Sequence, residues 1–373
     1  MNVLHVHSGN MFGGVERMLE TLAPATAGVA PVHSSFALCF DGPVSAMLRQ
    51  AAGEVHQLGP VRVRRISEIS RARRALKRVL QSQPWSAAIV HSAWSQAIFG
   101  PTIAQSGTPL VRWLHAPQPG PRWLEYWSGR SFPRLVLCNS RYTCGAAGAR
   151  MGGAPLSVQY PPAVMRIPPA DARASVRREL GTAADAVAIV IAARMERWKG
   201  HDLLLESLAG LPAGKWEAWI VGGPQQPAEA PYYESLIARA RQTGLSSRVR
   251  FLGQRPDVPR LLNAADVYCQ PNREAEPFGL SFVEGLGAGL PVVTSNLGAA
   301  PEIVDATCGV LIEPGSVPAL SAALGTLIDV EAERRRMSDG ARIRAREFCD
   351  LPRALARLAA ELARTLTIAP ALT

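Results

Sequence analysis

Short, continuous apolar runs recur along the chain, each followed by a longer stretch whose apolar residues return every three or four positions. The continuous runs suit strands buried on both faces of a parallel sheet, and the spaced pattern suits the helices that cover them. In the first half the pattern predicts strands near 2–7, 35–40, 54–58, 86–91, 109–115 and 134–139. In the second half it predicts 187–193, 216–222, 248–253, 265–270, 291–294 and 309–313. Two such series predict an α/β protein of two doubly wound, Rossmann-like domains. The segment Tyr160–Ala170 carries four prolines, which continue neither a helix nor a central strand, and the domain boundary is placed there. The expected domains are 1–165 and 166–350, with a last helix in 351–373 that no strand follows.

At 373 residues the chain exceeds what one core supports, which agrees with two domains. Its 47% hydrophobic and 19% charged residues exclude a disordered chain. Cys39, Cys138, Cys144, Cys269, Cys308 and Cys349 form no Cys-x-x-Cys pair, so a reducing, cytoplasmic setting without structural zinc is expected. The N-terminus lacks the basic region of a signal peptide, and no apolar run reaches membrane-spanning length. The net charge of +10 is uneven: residues 1–165 hold 16 Lys and Arg against 6 Asp and Glu, whereas residues 166–373 hold 24 of each. The first half is therefore expected to meet something anionic.

Candidate chemistry falls where the predicted strands end, the place where open α/β sheets bind ligands. Arg194 and Lys199 follow the apolar run Val187–Ile191. Such a pair can neutralise a diphosphate, Arg through its fork and Lys as a point charge. Further on, Glu276-Pro277-Phe278-Gly279-Leu280 opens a helix that carries Glu284 on its second turn. Free N–H groups at that helix start can receive a phosphate or sugar hydroxyls. A glycosidase pair is disfavoured, because eight helical residues rise about 12 Å while glycosidase carboxyls sit roughly 5–9.5 Å apart.

Near the N-terminus, Gly13-Gly14 precedes a helical pattern and allows close backbone approach to a ligand. It is not Gly-x-Gly-x-x-Gly, so no dinucleotide fingerprint is read. His115 ends the strand Leu110–Leu114; His91 and His7 also end strands and read as structural residues. Trp113, Trp123, Tyr126 and Trp127 are read as core aromatics. From Arg62 to Arg78, eight cations accompany an apolar face of Ile66, Ile69, Ala72, Leu76 and Val79. That segment reads as a surface for anionic lipid, each near-surface cation adding about 1 kcal/mol. An ordinary solvated helix is the plain alternative, and no nucleic-acid motif accompanies the segment.

These motifs, in this order, resemble the family-4 glycosyltransferases of the GT-B fold. The resemblance rests on Arg194-x4-Lys199-Gly200, on Glu276-Pro277-Phe278-Gly279-Leu280 with Glu284 eight residues after Glu276, and on Gly13-Gly14-Val15-Glu16. It implies a last helix that crosses back to the first domain, and a retaining, metal-independent transfer of a hexose from a nucleotide diphosphate sugar to a hydroxyl acceptor. It further implies a lipid-linked or cell-surface glycan precursor as acceptor. His115, Arg194, Lys199 and Glu276 would be the catalytic set. Gly13, Gly14, Phe278, Gly279, Leu280 and Glu284 would complete the donor site, with Glu276 on the sugar and Glu284 on the ribose. The resemblance implies no cofactor, and no Asp-x-Asp motif is present. Two departures are Gly222-Gly223-Pro224, where the family has an acidic middle residue, and Tyr160-Pro161-Pro162 in place of Asn-Gly. The competing readings are an epimerase or hydrolase acting on nucleotide sugars in the same fold, and a non-catalytic nucleotide-sugar-binding subunit at the membrane.

Overall fold

A computed structural model describes residues 1–9, 13–24, 31–117, 121–147, 151, 153–165 and 169–366. The chain divides into two compact units, Met1–Ala163 with Asp350–Thr373, and Val164–Cys349.

The first unit is built on a seven-stranded sheet. Its strands are β1 (Asn2–His7), β2 (His33–Leu38), β3 (Glu54–Gln57), β4 (Ala87–Val90), β5 (Leu110–Leu114), β6 (Leu135–Cys138) and β7 (Leu156–Val158). They pair in parallel in the order β3-β2-β1-β4-β5-β6-β7. The order reverses between β1 and β4. The two edge strands are the least buried: β7 is three residues long and half-buried, and β3, Glu-Val-His-Gln, has exposed ends.

Alternation along the strands explains why both sheet faces are covered. Val3, Phe36, Leu38, Ile89, Val111 and Trp113 enter one core, while Leu4, Ala37, Ala88, Val90 and Leu110 enter the other. Leu355, Leu358 and Leu362 of the last helix, Leu351–Leu366, lie three and four residues apart and close the first of these cores. Each buried leucine contributes about 1.5–3 kcal/mol, enough to hold the helix on this unit. Gln159 Nε2 adds a hydrogen bond to Ala354 O at 3.3 Å.

The second unit carries a six-stranded sheet of β8 (Val187–Ala192), β9 (Trp216–Val221), β10 (Val249–Gly253), β11 (Val267–Gln270), β12 (Val292–Ser295) and β13 (Gly309–Ile312). The order is β10-β9-β8-β11-β12-β13, with parallel pairing throughout. Here the reversal falls between β8 and β11. Among the described residues no helix is long and apolar enough to cross a membrane.

The basic segment differs from its expected form. Its helix spans Ile66–Ser82; Ala72, Leu76 and Leu80 are buried, and Ile69 and Val79 pack partly buried against the same core, so the expected apolar face departs at Ile66. Ile66 is 79% exposed, because a helix's first residue projects past the neighbours its later turns pack against. Arg73 is not free at the surface: Nε donates to Ile98 O at 2.6 Å. Arg65 pairs with Glu68 at 3.0 Å, which leaves Arg71, Arg74, Lys77 and Arg78 as the exposed cations of the helix. The aromatics also divide. Trp113 is fully buried, but Trp123, Tyr126 and Trp127 are 47%, 63% and 51% exposed on the short helix Arg122–Ser128. Two turns cannot bury an aromatic on every side.

Candidate functional site

In open α/β sheets the crevice at the order reversal, at the carboxyl ends of the strands, is where ligands bind. Both units place unusual polar groups there.

In the second unit, β8 ends at Ala192 and the chain turns through Arg194 and Met195 into a single 3-10 turn, Arg197–Lys199. Gly200 follows at φ +77°, and a Cβ there would lie 1.9 Å from Pro271 O. Only glycine lets this turn close against the end of β11, and that approach brings Lys199 to its partner. Lys199 Nζ lies 2.8 Å from Glu276 Oε2, both side chains being nearly buried at 13% and 11% exposure. The ammonium also sits 3.7 Å from the centre of the Trp198 ring. A low-dielectric setting of this kind strengthens the pair and makes loss of either partner costly.

Glu276 is held from several sides. Its Oε2 also accepts from Asn272 Nδ2 at 3.1 Å and Gln270 Nε2 at 3.4 Å. Gln270 is oriented by Tyr268, whose hydroxyl donates to Gln270 Oε1 at 2.8 Å, and by Ser281 Oγ at 3.2 Å. Burial raises the Tyr268 hydroxyl far above the usual tyrosine range, and the charges of Glu284 and Glu276 push the same way. It therefore stays a donor. The backbone of Glu276 bridges Gly298, and its carbonyl accepts from Ala299 N at 2.8 Å. Gly298 is at φ +62°, and a Cβ would come within 2.4 Å of Glu276 O.

Beyond Glu276 the chain buries Phe278 and turns at Gly279, φ +99°, into the helix Leu280–Gly287. Glu284 is half-buried on its second turn. The structure thus joins Lys199 directly to Glu276. It does not join Arg194 to them: Arg194 Nη2 pairs with Glu196 Oε1 at 2.8 Å.

The polar group of the first unit is a chain of histidines. His5 Nδ1 and His91 Nε2 are 2.9 Å apart, as are His91 Nδ1 and His115 Nε2, and His5 Nε2 lies 3.3 Å from Ser34 Oγ. Burial holds His5 down at about 3 and His91 well below the ordinary imidazole range; His115 moves in the same direction for the same reason. All three are neutral at pH 7, so each ring has one donor and one acceptor nitrogen. The tautomers are consequently linked. If His115 Nε2 accepts, its Nδ1 carries a proton and Ser34 donates at the far end; if it donates, every proton in the chain reverses. Beside this chain His7 Nε2 meets Glu16 Oε1 at 2.6 Å. Gly13 caps the helix Gly14–Leu22, and Gly13 O accepts from Arg17 N at 3.1 Å. Asn10, Met11 and Phe12, the start of that loop, lie outside the described residues.

Sequence reasoning missed Tyr268, Gln270 and Asn272, and took His91 for an isolated structural residue. The signal for the first group was the polar Gln270-Pro271-Asn272 step at the end of an apolar strand. No spacing rule links a histidine within β1 to histidines that follow β4 and β5.

Residues 173–344 match the family of glycosyl transferases group 1. The D-inositol 3-phosphate glycosyltransferase of Corynebacterium glutamicum (strain R) is 31% identical over 179 residues, which cover 46% of this chain and 42% of that protein. A GDP-mannose-dependent monoacylated alpha-(1-6)-phosphatidylinositol monomannoside mannosyltransferase of the same species is 29% identical over 217 residues, covering 54% of this chain and 55% of that protein. The chain spans about two-fifths of the first relative and about half of the second. Anabaena HepE, solved in complex with UDP and glucose, superposes with a TM-score of 0.84 over 98% of this chain and 100% of its own, at 23% identity, a likeness of fold. Residues 173–344 are therefore similar to glycosyl transferases group 1, and the chain as a whole has the GT-B fold of two Rossmann-like domains.

Proposed function

We propose that the protein is a retaining glycosyltransferase of family 4, moving a hexose from a nucleotide diphosphate sugar to a hydroxyl acceptor. The single observation that carries this reading is the Lys199–Glu276 pair at the reversal of the second sheet, inside the stretch that matches the glycosyltransferase family. A pyrophosphate-linked sugar presents negative charge at one end and hydroxyl donors at the other. A cation and a carboxylate fixed 2.8 Å apart suit its two ends.

In this reading Lys199 faces the diphosphate, and Arg194 leaves Glu196 to join it as the leaving group gains charge. Glu276, preorganised by Asn272 and Gln270, grips the sugar hydroxyls, while Glu284 takes the ribose. Phe278, Gly279 and Leu280 shape the helix start that receives the donor, and Gly13 and Gly14 offer backbone from the first unit. His115 orients the reacting sugar and acceptor. Charge compensation by Arg194 and Lys199 does the work a divalent metal does elsewhere. The acceptor attacks from the leaving-group side, and a phosphate oxygen of the donor helps take its proton. Catalysis then consists of positioning and charge stabilisation. The names of the two Corynebacterium relatives support an inositol phosphate or lipid-linked acceptor. Docking to an anionic membrane surface would use Arg71, Arg74, Lys77 and Arg78.

A panel of UDP-, GDP- and ADP-sugars, scored by thermal stabilisation, tests the reading. One donor at a hundred times its Kd should stabilise the protein by about 2.7 kcal/mol. Lys199→Ala should remove that shift, and NMR of the product should show the donor's anomeric configuration kept. No stabilisation by any donor, or an inverted product, would count against it.

A further inference from the structure

The first unit contains a cavity of about 260 Å³ lined by, among others, Arg112, His115, Gln96, Ser92, Glu125 and Phe132. Arg112 is its unusual member. It stands in the middle of β5, an otherwise apolar strand, and is only 7% exposed. A guanidinium in such a place is costly unless its donors are satisfied. The one hydrogen bond it makes among the described residues runs from Nη1 to Gln96 Oε1 at 3.0 Å, and Nε is buried with no partner. It forms no ion pair with any described residue, and the charge of Glu125 reaches it only through space. Burial accordingly lowers its affinity for its proton, to a pKa of about 10.

Gln96 explains how the group is aimed. Its Nε2 donates to Ser128 O at 3.1 Å and Ser131 O at 2.9 Å, so its Oε1 is fixed toward Arg112. The fork is held from one side and left open on the other, a preorganised arrangement whose ordering cost precedes ligand binding.

We propose that this cavity is an acceptor subsite for an acidic sugar, whose carboxylate or phosphate takes the open side of the Arg112 guanidinium. This rests on the reading above, in which the first unit receives the acceptor. Size decides against the donor: about 260 Å³ falls below the roughly 300–1,000 Å³ of ordinary ligand pockets, enough for one sugar ring and not for a nucleotide sugar. Phe132, 66% exposed, presents an apolar face to the C–H side of a ring, and the neutral His115 and Ser92 can meet hydroxyls.

Calorimetric titration of the full chain with glucuronate, glucose 6-phosphate, glucuronamide and glucose tests the proposal. One acid should bind at least tenfold more tightly than both neutral sugars, and which acid does so separates carboxylate from phosphate recognition. Arg112→Gln should erase the preference and Arg112→Lys keep part of it. Equal binding of glucuronate, glucose 6-phosphate, glucuronamide and glucose to the wild-type protein overturns the proposal, even should Arg112→Gln fail to fold. An acid preference unchanged in a folded Arg112→Gln overturns it as well. Thermal stabilisation by nucleotide sugars reads the transfer function separately. Its absence in the wild type would sink that reading, while the acid preference still decides what the cavity binds.

Discussion

The polar networks of the two units occupy corresponding places, each beside the strand pair where its sheet reverses, yet their chemistry is opposite. In the second unit the centre is an ion pair, Lys199 with Glu276, flanked by amides. In the first it is a hydrogen-bonded run of neutral histidines. The difference lies in what each environment does to a proton. Lys199 and Glu276 neutralise one another, so both charges tolerate near-burial. His5 and His91 have only other imidazoles and a hydroxyl as partners, so burial strips their charge. In the proposed function the charged site compensates the diphosphate and the neutral one orients hydroxyls.

The largest effect should come from breaking the charged centre. Glu276→Ala should lower transfer by about a hundredfold to a thousandfold, the range for losing one preorganised electrostatic contact. A kcat within a few-fold of wild type would remove Glu276 from the chemistry. Next, Gly200→Ala should destabilise the protein by several kcal/mol in urea melts, combining a positive φ with a Cβ 1.9 Å from Pro271 O. Gly107→Ala, at the same φ of +77° in open space, should cost only about 1–2 kcal/mol.

Acid should separate the units. His5, His91 and His115 have depressed values when folded and take up protons near 6.5 once unfolded. Their contribution is therefore fully present above about 6.5 and is lost as pH falls toward about 3, by up to about 1.4 kcal/mol per histidine per pH unit. The second unit has His201, held near 4, as its corresponding group. Hydrogen exchange at pH 7 and pH 5 should show the first unit loosening more; equal loss of protection would break the contrast. Removing His5 with Leu strands a ring nitrogen of His91, which should cost about 1–3 kcal/mol. The smallest effect is at the surface, where Arg71→Ala should weaken binding to anionic vesicles by about 1 kcal/mol, roughly fivefold, and unchanged binding would argue against docking there.

Twelve of the thirteen strands were predicted, most of them because a strand buried on both faces is apolar along its length, although the edge strand β3, Glu-Val-His-Gln, is mostly polar and only partly buried. The exception, β7, is three residues long and half-buried, so burial never shaped its composition. The helix after Gly279 was equally plain, since a turn residue followed by a helical pattern is a local signal. The basic helix was legible as a helix, but its surface was not. Nothing local tells that Arg73 reaches the carbonyls of Ile98 and Ala97 while Arg74 stays free of such a tie to another element.

By itself, the sequence determined the α/β architecture, the strand ends where polar residues gather, and the Arg194, Lys199 and Glu276 positions, all features written in spacing along one chain. Tertiary structure decided the long-range pairings: Lys199 with Glu276 across 77 positions and His5 with His91 across 86. Hydrophobic periodicity fixes which face of an element is buried. Which polar groups meet depends on strand order and on the few glycines that let backbones touch, and neither leaves a periodic trace.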